Sequence, residues 1–581
     1  MRRKCVTILF DCPTGLPNQA IGLSAYWGIC IISSSVKFLR ELLAAILGIA
    51  LLVHPPTGLA DESTAIRVDP EQIEADGATI GRIVLDKHNV FDLDNPDENK
   101  FLYRLANRWH IVTRDGTISD QLLFESGDPY SRRVIDETER ILRGNKYFYD
   151  ASIEPLNYQD GVVDLKVTTR DVWTLSPGLS LKRRGGEDEW SVELEEDNFL
   201  GRGQRVRFAR TSDVDRESTS FEFRDRNLGS SWVSTQLVVS DTSDGYSNFL
   251  SIVRPFYALD TRWSAGATVF DDERVSSLYQ LGTRSAVYRH ERLAFSAFAG
   301  WSAGLQGNWV QRLTVGVASD DNRFSDAFDA TLPSAVPVDR KLVYPFFGID
   351  IVEDRFEKAR NRNQIRKTED FYTGTRIAAT LGWSDRAFNA DRDALIYTAN
   401  ASSGFGTLDA NALLLSAWAS GRREGSDIVN ALVSIDARYF RRQSPKRVFY
   451  ATLEATKGHD LDLDNPVSLG GTTGLRGYPL RYQSGDSKVL VSVEQRYFTD
   501  WYPFRFVRVG GAVFFDAGRT WGDNALGGSG LGWLRDVGIG LRLSPTRIMT
   551  DKVIHLDLAF PLDGDASIDS VQILLESRRS F

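Results

Sequence analysis

Two stretches near the end of the chain decide the fold: residues 536–543 read DVGIGLRL, and residues 553–560 read VIHLDLAF. In both, apolar residues alternate with polar or small ones, which is the period of a β-strand that turns one face to an apolar environment. Upstream, residues 488–498 (KVLVSVEQRYF) and 508–516 (RVGGAVFFD) repeat the pattern. The opposite face combines charged residues with glycine. This part of the chain is therefore predicted to form a sheet with one apolar and one polar side.

Alternation alone fits a soluble β-sandwich as well as a transmembrane β-barrel. The barrel is favoured because the polar face resembles the lining of a water-filled lumen, and because aromatic residues such as Tyr497, Trp501 and Trp521 collect at strand ends. The chain also ends on Phe581. Since a bilayer does not tolerate unpaired sheet edges, such a sheet must close on itself. At about 25 residues per strand with half of its connections, residues 174–581 predict roughly 16 strands.

The region before the barrel has a mixed pattern. Residues 81–86 are typical of a strand, whereas residues 98–112 and 131–144 are typical of helices. Residues 148–155 and 162–170 predict two further strands. The order strand, helix, helix, strand, strand occurs once and predicts one small α+β domain. The first predicted helix carries three apolar residues at helical spacing: Leu102, Leu105 and Trp109.

One hydrophobic run, Leu42–Val53, has the features of a signal-peptide core, because two basic residues precede it and small residues follow it up to Ala60. It is about a dozen residues long, whereas a transmembrane helix needs roughly 20. We therefore predict that residues 1–60 are a signal peptide cleaved after Ala60. The stretch before the basic residues is long for such a segment, which indicates a translation start near Val36.

Composition limits the classes of function. The 581 residues carry 78 acidic and 69 basic side chains, a net charge of −9, so no polybasic surface for nucleic acid is expected. Cys5, Cys12 and Cys30 all precede the predicted cleavage site, so the exported chain would need no disulfide. An acidic, exported and cysteine-free chain is typical of a bacterial envelope protein.

Two short motifs carry a family resemblance. Residues 474–478 read GLRGY, and residues 514–518 read FFDAG. Weaker matches precede them at residues 123–130 (LFESGDPY) and 197–203 (DNFLGRG). With these motifs, and in this order, the chain resembles the BamA and TamA superfamily of outer-membrane barrels, which includes the two-partner secretion transporters, over about residues 75–581.

The resemblance implies a mostly β protein in which residues 61–78 are a linker, residues 79–173 one POTRA-like periplasmic domain, and residues 174–581 a transmembrane barrel. It also implies that a loop around residues 458–486 folds into the lumen, with Arg476 at its tip. The expected loop motif and its acceptors on the barrel wall are Gly474, Leu475, Arg476, Gly477, Tyr478, Phe514, Asp516, Gly518 and, as a second carboxylate, Glu494.

Physical reasoning supports the same pair. Strand parity places Asp516 on the inward face, and a glycine-rich loop can lie close to a wall. The guanidinium of Arg476 can bind a carboxylate through two charge-assisted hydrogen bonds. In a partly dry lumen, the loss of one partner would cost about 3–5 kcal/mol. The alternative is a solvated loop arginine and an aspartate with a purely structural role.

A weak seam is expected between the first and last barrel strands. We predict that residues 174–183 face residues 571–581 there, with Pro177, Gly178 and Phe581 at the seam, because proline cannot donate a ladder hydrogen bond. The POTRA-like domain would bind extended clients at its sheet edge, and the open seam would release them into lipid. The expected partners are unfolded outer-membrane or secreted polypeptides, outer-membrane lipid, and periplasmic chaperones or lipoproteins. No cofactor, metal or nucleic acid is expected.

Other functions stay open. Within the family, barrel insertion and two-partner secretion are both possible, and a passive channel for large solutes is a further alternative. An enzyme is not expected, because the histidines of the sequence lack a metal-binding spacing such as H-E-x-x-H. Asp460, Asp462 and Asp464 suggest a calcium loop, but its glycine and final glutamate are missing, so a solvated loop is expected.

Overall fold

A computed structural model describes residues 69–327, 332–333, 335–471, 473–522, 531–548, 552–564 and 568–578. The predicted signal peptide, residues 61–68 of the predicted linker, and the predicted seam residue Phe581 lie outside the described residues. The described chain forms a small α+β domain followed by a large closed sheet.

The N-terminal domain, residues 69–173, is a three-stranded sheet with helices. Its elements are, in chain order, α1 (Pro70–Ala75), β1 (Thr79–His88), α2 (Phe101–Trp109), α3 (Asp115–Ser119), α4 (Arg132–Arg143), β2 (Phe148–Gln159) and β3 (Val162–Asp171). The sheet order is β1-β3-β2, with β1 parallel and β2 antiparallel to the central strand β3. Helices α3 and α4 pack on this sheet around an apolar core that includes Ile80, Ile118, Ile135, Leu142, Val163, Leu165 and Val167.

Helix α2 lies outside that core. Its nine residues are all exposed or half-buried, whereas α4 buries Ile135 and Leu142 against the sheet. The apolar spacing of this segment predicted a helix, and the structure has one. Its apolar residues Leu102 and Trp109 face away from the domain instead of packing on it.

The rest of the chain is a closed antiparallel barrel with two additional hairpins. The strands are β4 (Leu175–Arg184), β5 (Glu187–Glu196), β6 (Arg205–Ser212), β7 (Glu217–Asp225), β8 (Ser234–Thr242), β9 (Gly245–Arg254), β10 (Trp263–Gln280), β11 (Thr283–Gln306), β12 (Trp309–Ser325), β13 (Arg340–Glu353), β14 (Phe356–Ala359), β15 (Glu369–Tyr372), β16 (Arg376–Ser384), β17 (Ala394–Gly406), β18 (Asn411–Glu424), β19 (Asp427–Ser444), β20 (Arg447–His459), β21 (Val467–Leu469), β22 (Gln483–Gly485), β23 (Ser487–Phe498), β24 (Val507–Trp521), β25 (Leu534–Pro545), β26 (Val553–Pro561) and β27 (Gln572–Arg578). Each barrel strand pairs with its neighbour, β27 returns to β4, and only β14-β15 and β21-β22 stand apart as separate hairpins within the described chain.

The barrel has 20 strands, so the prediction of 16 strands is wrong. The estimate assumed connections that are too long. Several hairpins turn through only two residues, as at 281–282, 307–308, 425–426 and 445–446. With such turns, a strand and its connection use about 20 residues rather than 25, and alternating segments that the estimate would have merged are separate strands.

The two faces of the barrel differ as the alternation predicts. Outward residues are apolar and exposed, for example Leu293, Val315 and Ile539. Inward residues include Asp516 and Arg542, both fully buried. The closed strand order rules out the soluble sandwich, and a closed barrel with an apolar outer face is the form in which strands span a membrane. None of the described helices is long and apolar enough to cross a bilayer.

Two segments enter the lumen from opposite ends. A loop over residues 460–486, which we call the lumen loop, connects β20 to β23 and includes β21 and β22. A second segment over residues 354–375, which we call the lumen hairpin, connects β13 to β16 and includes β14 and β15. The lumen hairpin lies at the end of the barrel that contacts the N-terminal domain, because its Lys358 and Asp370 pair with side chains of α4. We call this the domain end.

Candidate functional site

The lumen loop is folded on itself before it meets the barrel wall. Its base is a short antiparallel pair in which Val467 lies opposite Gly485 and Leu469 opposite Gln483. Beyond this pair, Leu475 and Tyr478 are fully buried and pack with apolar residues of the loop and wall: Leu469, Tyr482, Leu490 and Leu534. The loop is thus anchored by its own small core, which fixes the position of the residue between Leu475 and Gly477.

That residue is Arg476, and the structure places it against Asp516 on β24. The Arg476 Nε atom lies 2.7 Å from Asp516 Oδ2, and Nη2 lies 2.8 Å from Oδ1, so the guanidinium binds the carboxylate through both oxygens. Arg476 Nη1 also donates to Glu494 Oε1 at 2.8 Å. All three side chains are almost fully buried. A bidentate pair with a second carboxylate is the geometry in which a buried arginine is best satisfied.

Further wall residues surround the guanidinium. Ser492 Oγ accepts from Arg476 Nη2 at 3.1 Å and donates to Asp516 Oδ1 at 2.6 Å. The ring of Phe514 lies under the guanidinium, 3.4 Å from its carbon to the ring centroid, which adds a cation–π contact. Asp557 on β26 lies 3.7 Å from Arg476 Nη1 and also pairs with Arg542 of β25. The site therefore spans four consecutive wall strands, β23 to β26.

The neighbours of Arg476 in the motif fix its backbone. A side chain at Gly477 would begin 2.7 Å from Asp536 Cβ, so only glycine allows the loop to lie this close to β25. The Gly477 amide donates to Asp536 Oδ2 at 3.0 Å. The Tyr478 hydroxyl lies 2.7 Å from the Arg535 carbonyl and 3.1 Å from the Asp563 carbonyl. Gly474 adopts a positive φ of 105°, and Gly518 lies beside the Val489 carbonyl and Leu469, where the loop core meets the wall.

A chain of polar contacts joins the two lumen segments. Glu494 accepts from Arg476 through Oε1 and from Arg496 through Oε2, each at 2.8 Å. Arg496 then donates to the backbone carbonyl of Arg362 in the lumen hairpin at 2.8 Å, with its guanidinium 3.5 Å from the Tyr450 ring centroid. The hairpin side chains Ile365 and Phe371 pack against apolar wall residues around the same place: Phe440, Val448, Tyr450 and Phe498.

The lumen hairpin is also tied to the N-terminal domain. Arg143 at the end of α4 donates to both oxygens of Asp370, each at 2.7 Å. Lys358 donates to Asp136 at 2.8 Å and to Glu139 at 2.6 Å, two carboxylates on the same helix. Through these contacts α4, the hairpin and the wall cluster form one continuous polar network.

The seam between β27 and β4 closes the barrel. Among the described residues, it has one paired position, Leu575 opposite Arg183, whereas β26 and β27 pair at seven positions. The predicted seam residues Pro177 and Gly178 lie in β4 opposite Leu194 and Glu193 of β5. On the outer face of β4, Leu179 and Leu181 are 71% and 59% exposed, so this face is apolar like that of the other barrel strands.

Two of the three aspartates that suggested calcium, Asp462 and Asp464, form ion pairs with the barrel wall, so the expectation of a solvated loop is wrong for them. Asp462 accepts from Arg422 of β18 through two hydrogen bonds of 2.6 and 2.7 Å. Asp464 accepts from Arg340 of β13 at 2.9 Å. Within the described chain, no group of His, Cys, Asp and Glu side chains is arranged to hold a metal ion. Asp462 and Asp464 thus fasten the base of the lumen loop to the barrel wall.

Sequence reasoning named the loop arginine and two of its carboxylates but missed several members of the cluster. Ser492, Asp536, Asp557, Arg542 and Arg362 were not selected. For the first four, the inward parity of β23, β25 and β26 was a usable signal, because each falls on the polar face of an alternating strand. Arg362 gave no such signal, since its hairpin is a short insertion between two strands.

The comparisons with known proteins concern the whole chain. No family model matches it, and no curated protein sequence matches it. Among solved structures, the chain is similar to BamA from Haemophilus ducreyi lacking POTRA domains 1–3, with 14% identity, 85% of this chain and 84% of that chain covered, and a TM-score of 0.37. It is also similar to CdiB from Acinetobacter baumannii, with 10% identity, 86% and 74% covered, and a TM-score of 0.40. CdiB from Escherichia coli is also similar, with 11% identity, 95% of this chain and 100% of that chain covered, and a TM-score of 0.34.

The sequence resembles the superfamily that is named after BamA. A BamA structure is also among the solved structures to which the chain is similar. At this level of similarity the comparison says nothing about activity. The functional proposal therefore rests on the chain's own residues.

Proposed function

We propose that this chain is an outer-membrane protein that inserts barrel proteins into the membrane or moves polypeptides across it, with its N-terminal domain acting as a POTRA-like module in the periplasm. In this proposal the domain end of the barrel is periplasmic. Unfolded outer-membrane or secreted polypeptides are the clients, delivered by periplasmic chaperones or lipoproteins. No cofactor takes part, and the free energy comes from backbone pairing and apolar burial.

The observation that carries the proposal is the seam. An antiparallel barrel gains stability from continuous ladders, and among the residues that the structure describes β27 and β4 pair at one position whereas β26 and β27 pair at seven, which makes the seam the weaker closure. Opening this seam exposes two strand edges in the membrane, where an unpaired backbone group is strongly unfavourable. A client strand that pairs with either edge removes that penalty, so an open seam favours the binding of a strand.

Because two segments fill the lumen, release of a client through the seam into the membrane is favoured over passage along the barrel axis. The lumen loop enters from one end and the lumen hairpin from the other, and Arg476, Glu494 and Arg496 connect them. A polypeptide that crossed the barrel along its axis would have to displace both segments. If a client leaves through the seam, the lumen loop and the lumen hairpin can stay in place. The Arg476 cluster then keeps the lumen loop fixed while β4 and β27 separate.

The domain supplies the site of first contact. In the sheet order β1-β3-β2, the last strand β3 is central, so β1 and β2 are the two edge strands. The start of β1 is already bonded to residues 127–130, because the Ile80 amide donates to the Asp128 carbonyl at 2.8 Å, so we place the client on β2. Leu156 on β2 is 53% exposed, and an extended client could add a strand beside it. From β3 the chain passes directly into β4 at the seam, with the Trp173 amide donating to the Arg547 carbonyl at 2.7 Å. Client binding and the seam therefore lie close together in the chain.

One observation favours a second function, a passive channel. A cavity of about 1240 Å³ lies between the lumen loop and strands β7 to β11, lined by polar residues that include Asp272, Arg274 and Arg481. A channel for large solutes would use this space. Two-partner secretion, in which the client crosses the lumen, would instead require both lumen segments to move.

Depletion of the protein in its native cell separates these functions. We expect a set of barrel proteins to fall in the outer membrane while the secreted proteins stay unchanged. Loss of one secreted protein with a normal outer membrane would identify a secretion transporter. Normal levels of both, together with slower uptake of large solutes, would contradict the proposal and identify a channel.

A further inference from the structure

Helix α2 turns its apolar face away from the protein. Phe101 and Leu102 are each 68% exposed and Trp109 is 69% exposed. The opposite face attaches the helix: the Tyr103 hydroxyl donates to the Phe504 carbonyl at 2.6 Å, and Asn107 Nδ2 donates to the Phe91 carbonyl at 2.7 Å. At 3.6 residues per turn, positions 103 and 107 lie on the side away from the apolar residues. A nine-residue helix held by its polar side is thus left with an uncovered apolar side.

The contacts around α2 place it at the rim of the barrel beneath the seam. Just before the helix, Asp97 pairs with Arg505 in the β23-β24 turn. After the helix, Arg114 Nε donates to the Leu200 carbonyl at 2.8 Å in the β5-β6 turn. In the strand order, the seam between β27 and β4 lies between these two turns. The segment that contains α2 therefore spans the domain end of the strands on both sides of the seam.

The rim next to α2 is itself apolar and exposed. Trp501 and Phe504 project from the β23-β24 turn, with Phe504 82% exposed, and Phe199 and Leu200 project from the β5-β6 turn. In a transmembrane barrel, rim residues of this type lie at the boundary between lipid tails and headgroups. The apolar face of α2 continues that belt.

Basic residues accompany the apolar face. Lys100, Arg104 and Arg108 are exposed and lie just before or within α2, and Ile111 follows the helix with 53% exposure. A short helix with one apolar face flanked by cationic side chains is the pattern of an interfacial helix, whose cations reach lipid phosphates while its apolar side chains enter the headgroup region.

We propose that α2 is a membrane-interface helix, bound to the phospholipid surface at the domain end of the barrel directly beneath the seam. Its occupant is a phospholipid leaflet, because the apolar face is continuous with the lipid-facing rim and is flanked by positively charged side chains that lipid phosphates attract. The helix fixes the N-terminal domain against the membrane and places bulky side chains among the lipids that border β4 and β27. This inference does not depend on whether the clients are inserted, secreted or absent.

Site-specific lipid quenching tests the proposal on the full chain. Cys5, Cys12 and Cys30 are replaced by serine, and a fluorophore is attached after Leu102→Cys or Trp109→Cys in vesicles of phosphatidylethanolamine and phosphatidylglycerol. The matched control is Leu156→Cys, an exposed leucine of the same domain. It lies eight residues beyond Phe148 on β2, about 26 Å along an extended strand and away from the barrel. Spin-labelled phospholipids in the vesicles then quench any fluorophore that lies in the leaflet.

We expect the labels at 102 and 109 to be quenched several-fold more strongly than the label at 156, and more by a spin label near the headgroup than by one near the bilayer centre. A second variant, Phe101→Glu with Leu102→Glu, should abolish the quenching of the label at 109 while the barrel stays folded in the gel-shift assay for heat-modifiable barrels. Equal, weak quenching at all three positions, with full access to aqueous iodide, would overturn the proposal. Photo-crosslinks from position 102 to a polypeptide, without lipid quenching, would overturn it as well.

Discussion

The guanidinium of Arg496 on β23 donates to the backbone carbonyl of Arg362 in the lumen hairpin across 2.8 Å. The same guanidinium holds Glu494, which also accepts from Arg476 of the lumen loop. The two segments that enter the barrel from opposite ends are therefore joined through one wall strand. Because Arg143 of α4 forms an ion pair with Asp370 of the lumen hairpin, the network extends from the N-terminal domain to the lumen loop.

Arg143→Ala should loosen the lumen hairpin. The substitution removes both hydrogen bonds that Arg143 donates to Asp370 and one that it donates to Glu139, which keeps its bond from Lys358. Loss of one partner of a largely buried ion pair costs about 3 kcal/mol, so the hairpin should leave its seat more often. We expect higher and noisier single-channel conductance in planar bilayers.

The control is Arg132→Ala, which removes the more exposed ion pair between Arg132 and Asp136 one turn apart on the same helix. This substitution should leave the conductance nearly unchanged. Equal conductance for Arg143→Ala, Arg132→Ala and the parent protein would argue against the lumen hairpin as a barrier.

Arg476→Ala should leave the barrel folded but release the lumen loop. The variant buries Asp516, Glu494 and Asp557 close together without their shared cation, a change that costs about 3–5 kcal/mol. We expect faster protease cleavage within residues 460–486 and a lower yield of client protein in the outer membrane.

Two further variants sharpen this test. Arg476→Lys should recover little, because an ammonium cannot reproduce the two parallel hydrogen bonds to Asp516. Arg476→Ala combined with Asp516→Asn should be less harmful than Arg476→Ala alone, because one uncompensated charge is removed. A double variant as impaired as the sum of its single variants would show that the two residues do not act as a pair.

Tyr478→Phe isolates the hydroxyl that holds the loop tip to β25. The hydroxyl contacts the backbone of Arg535 and of Asp563, and its loss leaves buried backbone groups unsatisfied. We expect the free energy of unfolding to fall by about 1–3 kcal/mol, measured by urea titration in detergent. Tyr497→Phe on the outer face of β23 serves as the control, and an equal effect of both substitutions would contradict a specific role of the Tyr478 hydroxyl.

Strand parity predicted much of the site. The alternation of β23 and β24 placed Glu494 and Asp516 on the inward face, and the structure has both side chains buried there. The motif GLRGY identified the loop residue that meets them. What parity could not give was the number of strands, because two-residue turns such as 307–308 leave no gap in the alternation that an average segment length would detect.

Two features of the structure had no reliable sequence signal. The lumen hairpin is a short segment between β13 and β16, and its buried Arg362 looks like an ordinary loop arginine in the sequence. For α2, helical spacing predicts an apolar face but not what that face contacts. Only the contacts of Tyr103 with Phe504 on the rim and of Asn107 with Phe91 in the N-terminal domain show that Leu102 and Trp109 point outward.

We propose that the seam between β4 and β27 opens during function. Arg183 and Leu575 are opposite one another, so cysteines at these two positions are close enough for a disulfide across the seam. The matched control is a disulfide between Leu556→Cys and Leu575→Cys, which shares one position and joins β26 to β27 at a pair that already lies within a continuous ladder.

The most direct measurement is the rate at which a client barrel protein becomes protease-resistant in vesicles that contain each cross-linked variant. We expect the 183–575 disulfide to stop client assembly, reductant to restore it, and the 556–575 disulfide to have no effect. Assembly at the parental rate with the seam covalently locked would show that the seam does not open during function.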